Sequence, residues 1–193
     1  MDNTFFVKKL KKQNGQMFKE KIILNKSECQ LIIDLCDDFK ESQIIYDNLL
    51  DENQNIGELN KQKRNSETAK IKDLEKIKSF LLPRLKEFNI KNLPDNTRVL
   101  RYKKGSFFSP HTDRIGLFGN RKLTLIIQLS EKDSYEGGVL IINNNPISKQ
   151  IGNLVLFDSG VIHEVTKLSS GERFVLVSWI EIDDMILKSQ SLI

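Results

Sequence analysis

Two histidines among 193 residues leave this chain little freedom over where a metal site could form. The first stands in a stretch that reads S-F-F-S-P-H-T-D, from Ser106 to Asp113, and ends in His111-Thr112-Asp113. Side chains two apart on an extended segment project to the same side. An imidazole nitrogen and a carboxylate oxygen would therefore stand beside each other. One further imidazole completes a 2-His-1-carboxylate facial triad, which keeps coordination positions open and suits non-haem Fe(II) oxygenase chemistry. The other histidine is His163, so His111, Asp113 and His163 are the candidate metal ligands.

His163 lies in V-I-H-E-V, beyond the turn-like Asp158-Ser159-Gly160, at the start of an expected strand. Arg173 follows across Ser169-Ser170-Gly171. A hairpin turning near Leu168 would set His163 and Arg173 opposite each other on one face. The guanidinium would then enter the imidazole's cavity, where it could hold a carboxylate bidentately. Glu164 would point to the other face and carries no expected role. Strand parity groups Arg173, Val175, Val177 and Trp179 on one face, Thr124, Ile126 and Gln128 on another strand, and Arg98, Leu100 and Tyr102 on a third. A cavity lined this way is mostly apolar with a few placed polar groups, as small-molecule pockets usually are.

The remaining chain supplies a frame. Apolar segments at 4–10 and 17–24 flank Asn14-Gly15, a turn pair that predicts a hairpin or two short strands. Asn25 with Glu28 makes a variant capping box, and Cys29, Ile32, Ile33, Cys36 and Phe39 keep helical spacing, predicting a helix to about Lys40. Residues 47–66 are polar and read as a surface loop, either a connector or a substrate-facing lid. Ile71, Leu74, Ile77, Leu81, Leu82 and Leu85 predict a second helix from about Glu67 to Phe88, with Pro83 kinking it. After Pro94-Asp95-Asn96 the chain turns β-rich, with expected strands at Thr97–Lys103, Arg121–Leu129, Val139–Asn143, Asn153–Phe157, Val161–Lys167 and Arg173–Ile182. The expected organisation is one catalytic domain over 1–193, with a helical support region and N-terminal strands at 1–96 and a β core at 97–182.

Composition narrows the class further. No apolar run is long enough to cross a membrane, and the N-terminus lacks the pattern of a secretory signal, so a cytoplasmic location is expected. Cys29 and Cys36 imply no disulfide framework. Two turns of helix separate them by about 10 Å, too far for a shared metal or a disulfide, and they read as core thiols. The net charge is +4, and lysines cluster at Lys8, Lys9, Lys11, Lys12, Lys19 and Lys21. Few aromatics interleave with them, which favours a solvated face over a nucleic-acid surface.

The C-terminal half resembles the Fe(II)/2-oxoglutarate dioxygenases of the prolyl 4-hydroxylase type. The matching segments are R-Y-K-K-G-S-F-F-S-P-H-T-D (101–113), L-T-L-I-I-Q-L-S (123–130), Y-E-G-G-V-L-I-I (135–142), G-N-L-V-L-F-D-S-G-V-I-H-E-V (152–165) and S-G-E-R-F-V-L-V-S-W-I (170–180). The wording is nearest to bacterial and phage-encoded members. The resemblance implies an α+β chain built on a distorted double-stranded β-helix (a cupin-like jelly roll) with N-terminal helices packed on one sheet. It implies Fe(II) on His111, Asp113 and His163, O2 as oxidant, and 2-oxoglutarate with its far carboxylate on Arg173. Ascorbate is a further expected helper. Tyr102 matches a tyrosine that hydrogen-bonds the co-substrate, Thr124 a polar position on the adjoining strand, and Trp179 a residue shaping the pocket. Arg173 stands where collagen-type enzymes carry Lys, and Gln128 where some relatives carry a co-substrate-binding Tyr.

The activity so implied is hydroxylation of an unactivated C–H bond, with 2-oxoglutarate converted to succinate and CO2. A prolyl residue of a peptide or protein is the leading substrate. The alternatives are another residue, a free small molecule, or a jelly-roll module that binds metal or ligand without turnover.

Overall fold

The computed structural model describes residues 18–42, 44–45, 57–58, 60–114 and 118–185. Its strands in chain order are β1 (Phe18–Ile22), β2 (Lys40–Glu41), β3 (Ile44–Ile45), β4 (Gly57–Glu58), β5 (Glu67–Lys70), β6 (Arg98–Tyr102), β7 (Phe108–His111) and β8 (Leu123–Gln128). They continue with β9 (Tyr135–Gly137), β10 (Leu140–Ile142), β11 (Asn145–Pro146), β12 (Asn153–Asp158), β13 (His163–Val165), β14 (Leu168–Gly171) and β15 (Arg173–Ile180). The helices are α1 (Lys26–Asp34) and α2 (Leu74–Leu85).

A seven-stranded antiparallel sheet in the order β1-β12-β8-β15-β6-β5-β2 forms one wall. A four-stranded sheet, β11-β10-β13-β7, forms the facing wall, and β14 pairs with β9. This is the expected α+β arrangement, a double-stranded β-helix with helices on one sheet. Alternation along the large sheet explains the layering. Val99, Leu123, Leu125, Ile127, Leu154, Leu156 and Leu176 point outward and pack with Cys29 and Ile32 of α1 and Ile77, Leu81 and Leu85 of α2. Leu100, Tyr102, Ile126, Val155, Phe157, Val175 and Val177 point inward and meet Leu140, Ile142 and Val165 of the small sheet.

Both helices are shorter than expected, and only the first begins where its sequence directs. The Asn25 side chain accepts from the Glu28 N–H at 2.9 Å, and Glu28 accepts from the Asn25 N–H at 3.0 Å, a reciprocal capping box. α1 then stops at Asp34 instead of near Lys40. The chain leaves to pair with residues 70–72: the Asp37 N–H donates to Lys70 and the Lys72 N–H to Leu35. Cys36 forms a bridge with Ile71 there, and both cysteines are buried core thiols. Burial pushes each thiol up to about 11, so neither is a thiolate at neutral pH. The second expected helix is also corrected at its start. Glu67–Lys70 is β5, because the open edge of β6 offers backbone partners that a short polar stretch can take (Glu67↔Arg101, Lys70↔Arg98). Asp73 caps α2 by accepting from the Lys76 N–H at 2.9 Å. Pro83 lies inside α2, and a 3-10 turn at Lys86–Phe88 follows.

The strands expected after residue 96 are all present, with β7, β9, β11 and β14 in addition. The N-terminal region joins the core directly. β1 pairs with β12, and the Ile23 and Leu24 N–H groups donate to Gly152. Gly152 has φ +75, and a Cβ there would stand 1.9 Å from the Leu24 carbonyl oxygen, so this close approach requires glycine. The described end of the expected 47–66 loop is not a loose connector: Arg64 bridges Phe108 of β7, and Ser66 is buried. The Asn14-Gly15 turn, Lys8 to Lys12, Ile115 and most of 47–59 lie outside the described residues. Among the described residues no helix is long and apolar enough to cross a membrane.

Candidate active site

His111 ends β7, and His163 opens β13, directly across the ladder from it (His163↔His111). Asp113 lies two residues past the end of β7, where its backbone N–H donates to the Ser159 carbonyl at 2.9 Å. The ligand atoms of the three residues lie within 4.8 Å of one another. His163 Nε2 is 3.4 Å and His111 Nε2 3.8 Å from the nearer Asp113 carboxylate oxygens. Neighbouring ligands about 2.1 Å from one octahedral ion would sit roughly 3 Å apart, so small shifts close the set on a metal.

Surrounding groups orient the ligands. His111 Nδ1 lies 2.8 Å from the Ser109 carbonyl and His163 Nδ1 3.0 Å from that of Val161. A carbonyl only accepts, so each Nδ1 carries the proton and each Nε2 keeps its lone pair for the metal. Phe108 stacks on His111 at 3.5 Å between centroids, and Phe157 meets His163 edge-on at 4.8 Å. Thr124, a polar position singled out on the adjoining strand, donates to Asp113 Oδ2 at 2.7 Å. Burial and the neighbouring His163 imidazole push His111 down to about 4, against the pull of Asp113. Burial opposes the Asp113 carboxylate, yet the two imidazoles and the Thr124 hydroxyl outweigh it and hold Asp113 below its ordinary value. The site is thus poised with a neutral His111 and an anionic Asp113, the protonation states a metal needs of them.

The structure corrects the expected route from His163 to Arg173. They do not form a hairpin. Leu168–Gly171 is β14, which pairs with β9 rather than turning. Gly171 has φ +74 and packs against the backbone of Ser134 and Tyr135, which holds Ser169 and Ser170 in a strand. Arg173 instead opens β15, opposite Tyr102 of β6. It still reaches the cavity, because β15 lies in the wall that faces β13. The expected parity sets hold: Val175 pairs with Leu100 and Gln128, Val177 with Arg98 and Ile126, and Trp179 with Thr124.

Arg173 is buried at 1 % exposure, with its guanidinium carbon 5.1 Å from the Tyr102 ring centre. Among the described residues its Nε and Nη1 have no hydrogen-bond partner, nor have the Tyr135 hydroxyl and Gln128 Oε1. A buried guanidinium without a counter-ion costs several kcal/mol, roughly 3–5 when a partner is removed. This cradle fits a carboxylate. Tyr135 was not singled out in the sequence. Burial raises its hydroxyl pKa and the Arg173 charge pulls it back, which places the phenol beside the guanidinium. The Y-E-G-G segment was the available signal: Gly138 has φ +58, and a Cβ there would meet Arg173 Cδ at 3.3 Å and the Tyr135 ring at 3.6 Å. Trp179 is half-buried, and its indole N–H is unpartnered.

Comparison with known proteins agrees with this geometry. Residues 97–181 match the 2OG-Fe(II) oxygenase superfamily. A PKHD-type hydroxylase of Prochlorococcus marinus (strain AS9601) is 35 % identical over 124 residues, 61 % of this chain and 56 % of that protein. The chain spans about half the length of the curated relatives it matches. Among solved structures, a Pseudomonas putida prolyl-4-hydroxylase superposes with a TM-score of 0.62 at 17 % identity, covering 92 % of this chain and 97 % of the other. A Trichoplax adhaerens prolyl hydroxylase, solved with a hypoxia inducible factor oxygen degradation domain peptide fragment, gives 0.64 at 15 % identity, covering 97 % and 93 %. At such identities the superpositions speak for the fold, which is that of the prolyl hydroxylases. The matched segment carries His111, Asp113, His163 and Arg173, and the superfamily it matches draws on Fe(II), 2-oxoglutarate and O2.

Proposed function

We propose that this chain is an Fe(II)- and 2-oxoglutarate-dependent hydroxylase that acts on a prolyl residue of a peptide, and that 1–193 works as one catalytic unit. The observation that carries the reading is the pairing of two orphaned features on facing walls. One is a His-Asp-His set whose Nε2 atoms face one another across the Asp113 carboxylate; the other is a buried Arg173 guanidinium with no counter-ion among the described residues. A co-substrate with a metal-chelating end and a far carboxylate satisfies both.

In this reading His111, Asp113 and His163 hold Fe(II). Arg173 and the Tyr135 hydroxyl take the far carboxylate of 2-oxoglutarate, with Tyr102 and Gln128 lining its path. Fe(II) and 2-oxoglutarate together supply O2 activation: one oxygen atom enters a substrate C–H bond, and the other leaves in succinate, released with CO2. The chain's own residues do the positioning. Thr124 holds the Asp113 carboxylate, the Ser109 and Val161 carbonyls set both imidazole tautomers, and the apolar wall of Leu100, Ile126, Val175 and Val177 excludes water from the cavity. The single-unit reading is supported by β1 and β5, which extend the same sheet as the site-bearing strands, and by α1 and α2 in its outer core.

The prolyl assignment rests on the fold shared with the P. putida enzyme and on the peptide-bound T. adhaerens enzyme. Purified protein with Fe(II), ascorbate, 2-oxoglutarate and a panel of prolyl peptides is expected to form succinate and to add one oxygen to proline by mass spectrometry. Succinate without a modified proline would remove the prolyl assignment. No succinate under any condition would remove the oxygenase reading, leaving a module that binds metal without turnover.

A further inference from the structure

The chain has seven arginines, all among the described residues. They fall into two groups. Arg84 is ion-paired with Glu28 at 2.7 Å, Arg101 with Glu67 at 2.5 Å, and Arg114 with Asp158 at 2.9 Å. Arg64, Arg98, Arg121 and Arg173 make no ion pair among the described residues. Those four are the arginines of the site. Arg173 belongs to the co-substrate cradle, which leaves three cations without a role.

All three are half-buried and stand on aromatic rings of the site's rim. Arg121 lies over the Trp179 ring at 4.2 Å and over Phe118 at 3.8 Å, and its Nη1 donates to the Asp113 carbonyl at 3.3 Å. Arg98 lies over the other part of the same rim, 5.7 Å from the Trp179 ring centre. Arg64 comes from the segment paired with β7 and lies 4.6 Å over Phe108, the ring stacked on His111. Arg64 and Arg121 are held by only one polar side-chain contact each, to the Ser66 hydroxyl and the Asp113 carbonyl, and Arg98 by one to the Asn96 carbonyl. These acceptors are neutral, and carboxylates act on the charges only from a distance: Asp113 on Arg64 and Arg121, and Glu181 on Arg121. Burial lowers the pKa of all three, Arg121 to about 10, and the charge of Arg98 lowers Arg64 and Arg121 further while Asp113 raises them. Arg98 therefore repels both Arg64 and Arg121, while Asp113 attracts those two.

Loading the site does not relieve this. Fe(II) and doubly anionic 2-oxoglutarate cancel each other's charge, and Asp113 and Glu181 can offset only two of the four guanidiniums. A net positive rim remains, half exposed to solvent and so weakened as added salt screens it. Neighbouring cations outside the rim have been given partners: Lys61 pairs with Glu41 and Lys103 with Glu67.

We propose that the substrate presents acidic side chains beside the carbon that is hydroxylated, with Arg98 and Arg121 on the Trp179 rim and Arg64 on the Phe108 rim as their counter-ions. The inference rests on the hydroxylase reading above and names its substrate class, an acidic peptide; free L-proline is the other source of a carboxylate so placed.

Binding and turnover test it separately. The chain has a single tryptophan, Trp179, which lies in the proposed rim and reports on its occupancy. Protein loaded with Mn(II) and 2-oxoglutarate under argon is titrated with three probes: a capped prolyl peptide with Asp and Glu flanking the proline, its Asn/Gln counterpart, and L-proline. The acidic peptide is expected to bind about tenfold tighter than its amide counterpart and to lose most of that advantage as salt rises from low to physiological strength. Arg98→Gln and Arg121→Gln should each erase the preference, and Arg98→Lys should retain part of it; the charge-keeping variant separates lost charge from lost folding. Equal affinity for the acidic and amide peptides, with no salt dependence, overturns the proposal. Turnover with Fe(II) and air then separates the two readings. Tight acidic binding without oxygen added to proline keeps the anion site and removes the prolyl assignment. Equal oxidation and equal binding of both peptides keeps the prolyl assignment and removes the anion site. Preference for L-proline over both capped peptides removes the peptide and assigns the carboxylate to the free amino acid.

Discussion

The two faces of β8 use the same strand for opposite ends. Leu123, Leu125 and Ile127 point outward into the helices, in a layer whose buried hydroxyls, Thr97 and Ser178, satisfy each other at 2.8 Å. Thr124, Ile126 and Gln128 point inward, where Thr124 steadies a ligand carboxylate and Gln128 keeps an unpartnered oxygen. The outer face gains its free energy from apolar burial. The inner face gives some of it up by burying Arg173 and Gln128 without partners. One wall therefore carries the stability that lets the other stay chemically unsatisfied, which is the general condition of a preorganised site.

That division can be broken by substitution. The largest functional effect should come from His163→Ala, which removes one of three metal ligands: succinate formation should vanish, while the melting midpoint shifts by only a few degrees. Arg173→Gln should follow, raising the 2-oxoglutarate KM by roughly 30-fold or more, since loss of a buried charged pair costs about 2–5 kcal/mol. On the outer face, Ile127→Ala should lower unfolding stability by about 2–5 kcal/mol in denaturant titration. Fe(II) affinity should not change. Thr124→Val is the mild inner-face counterpart, expected to weaken Fe(II) binding by about tenfold with little change in stability. If Ile127→Ala weakened metal binding as much as Thr124→Val, the two faces would not be independent.

A pH series sharpens the same contrast. His111 is held at about 4 in the folded chain, below its ordinary value of 6.5, because burial disfavours its charged form. A depressed pKa means the unfolded chain takes up the proton first. The stability linked to a neutral His111 is fully present above about pH 6.5 and is lost as pH falls toward 4. The melting midpoint of metal-free protein should therefore drop between pH 7 and 5, and Fe(II) should offset part of the drop. An outer-face variant such as Ile127→Ala should shift the whole curve without changing its slope.

Much of this was legible in the residues. Period-two alternation assigned Leu123 to Gln128 and Arg173 to Trp179 to the correct faces, because parity survives any choice of pairing partner. Asn25 with Glu28 located the start of α1, since a cap is a local interaction. Helix ends were not legible: α1 stops at Asp34 because Lys70 and Ile71 capture the following residues, a contact over 30 positions away in sequence. β5 was missed because Glu67–Lys70 has no apolar alternation and exists through the edge that β6 provides. The His163–Arg173 hairpin failed for the same reason: Ser169-Ser170-Gly171 has turn composition, yet β9 supplies a strand partner.

By itself the sequence determined the chemistry on offer. With His111, Asp113 and His163 as the available ligand set, composition and spacing alone confined the metal to one place. Only the tertiary structure decided how those groups meet. It put His163 across from His111 rather than Arg173, gave Thr124 to Asp113, and brought Tyr135 to Arg173. It also divided seven arginines into three with carboxylates and four without. Charge pairing depends on distance through space, which residue order along the chain does not encode.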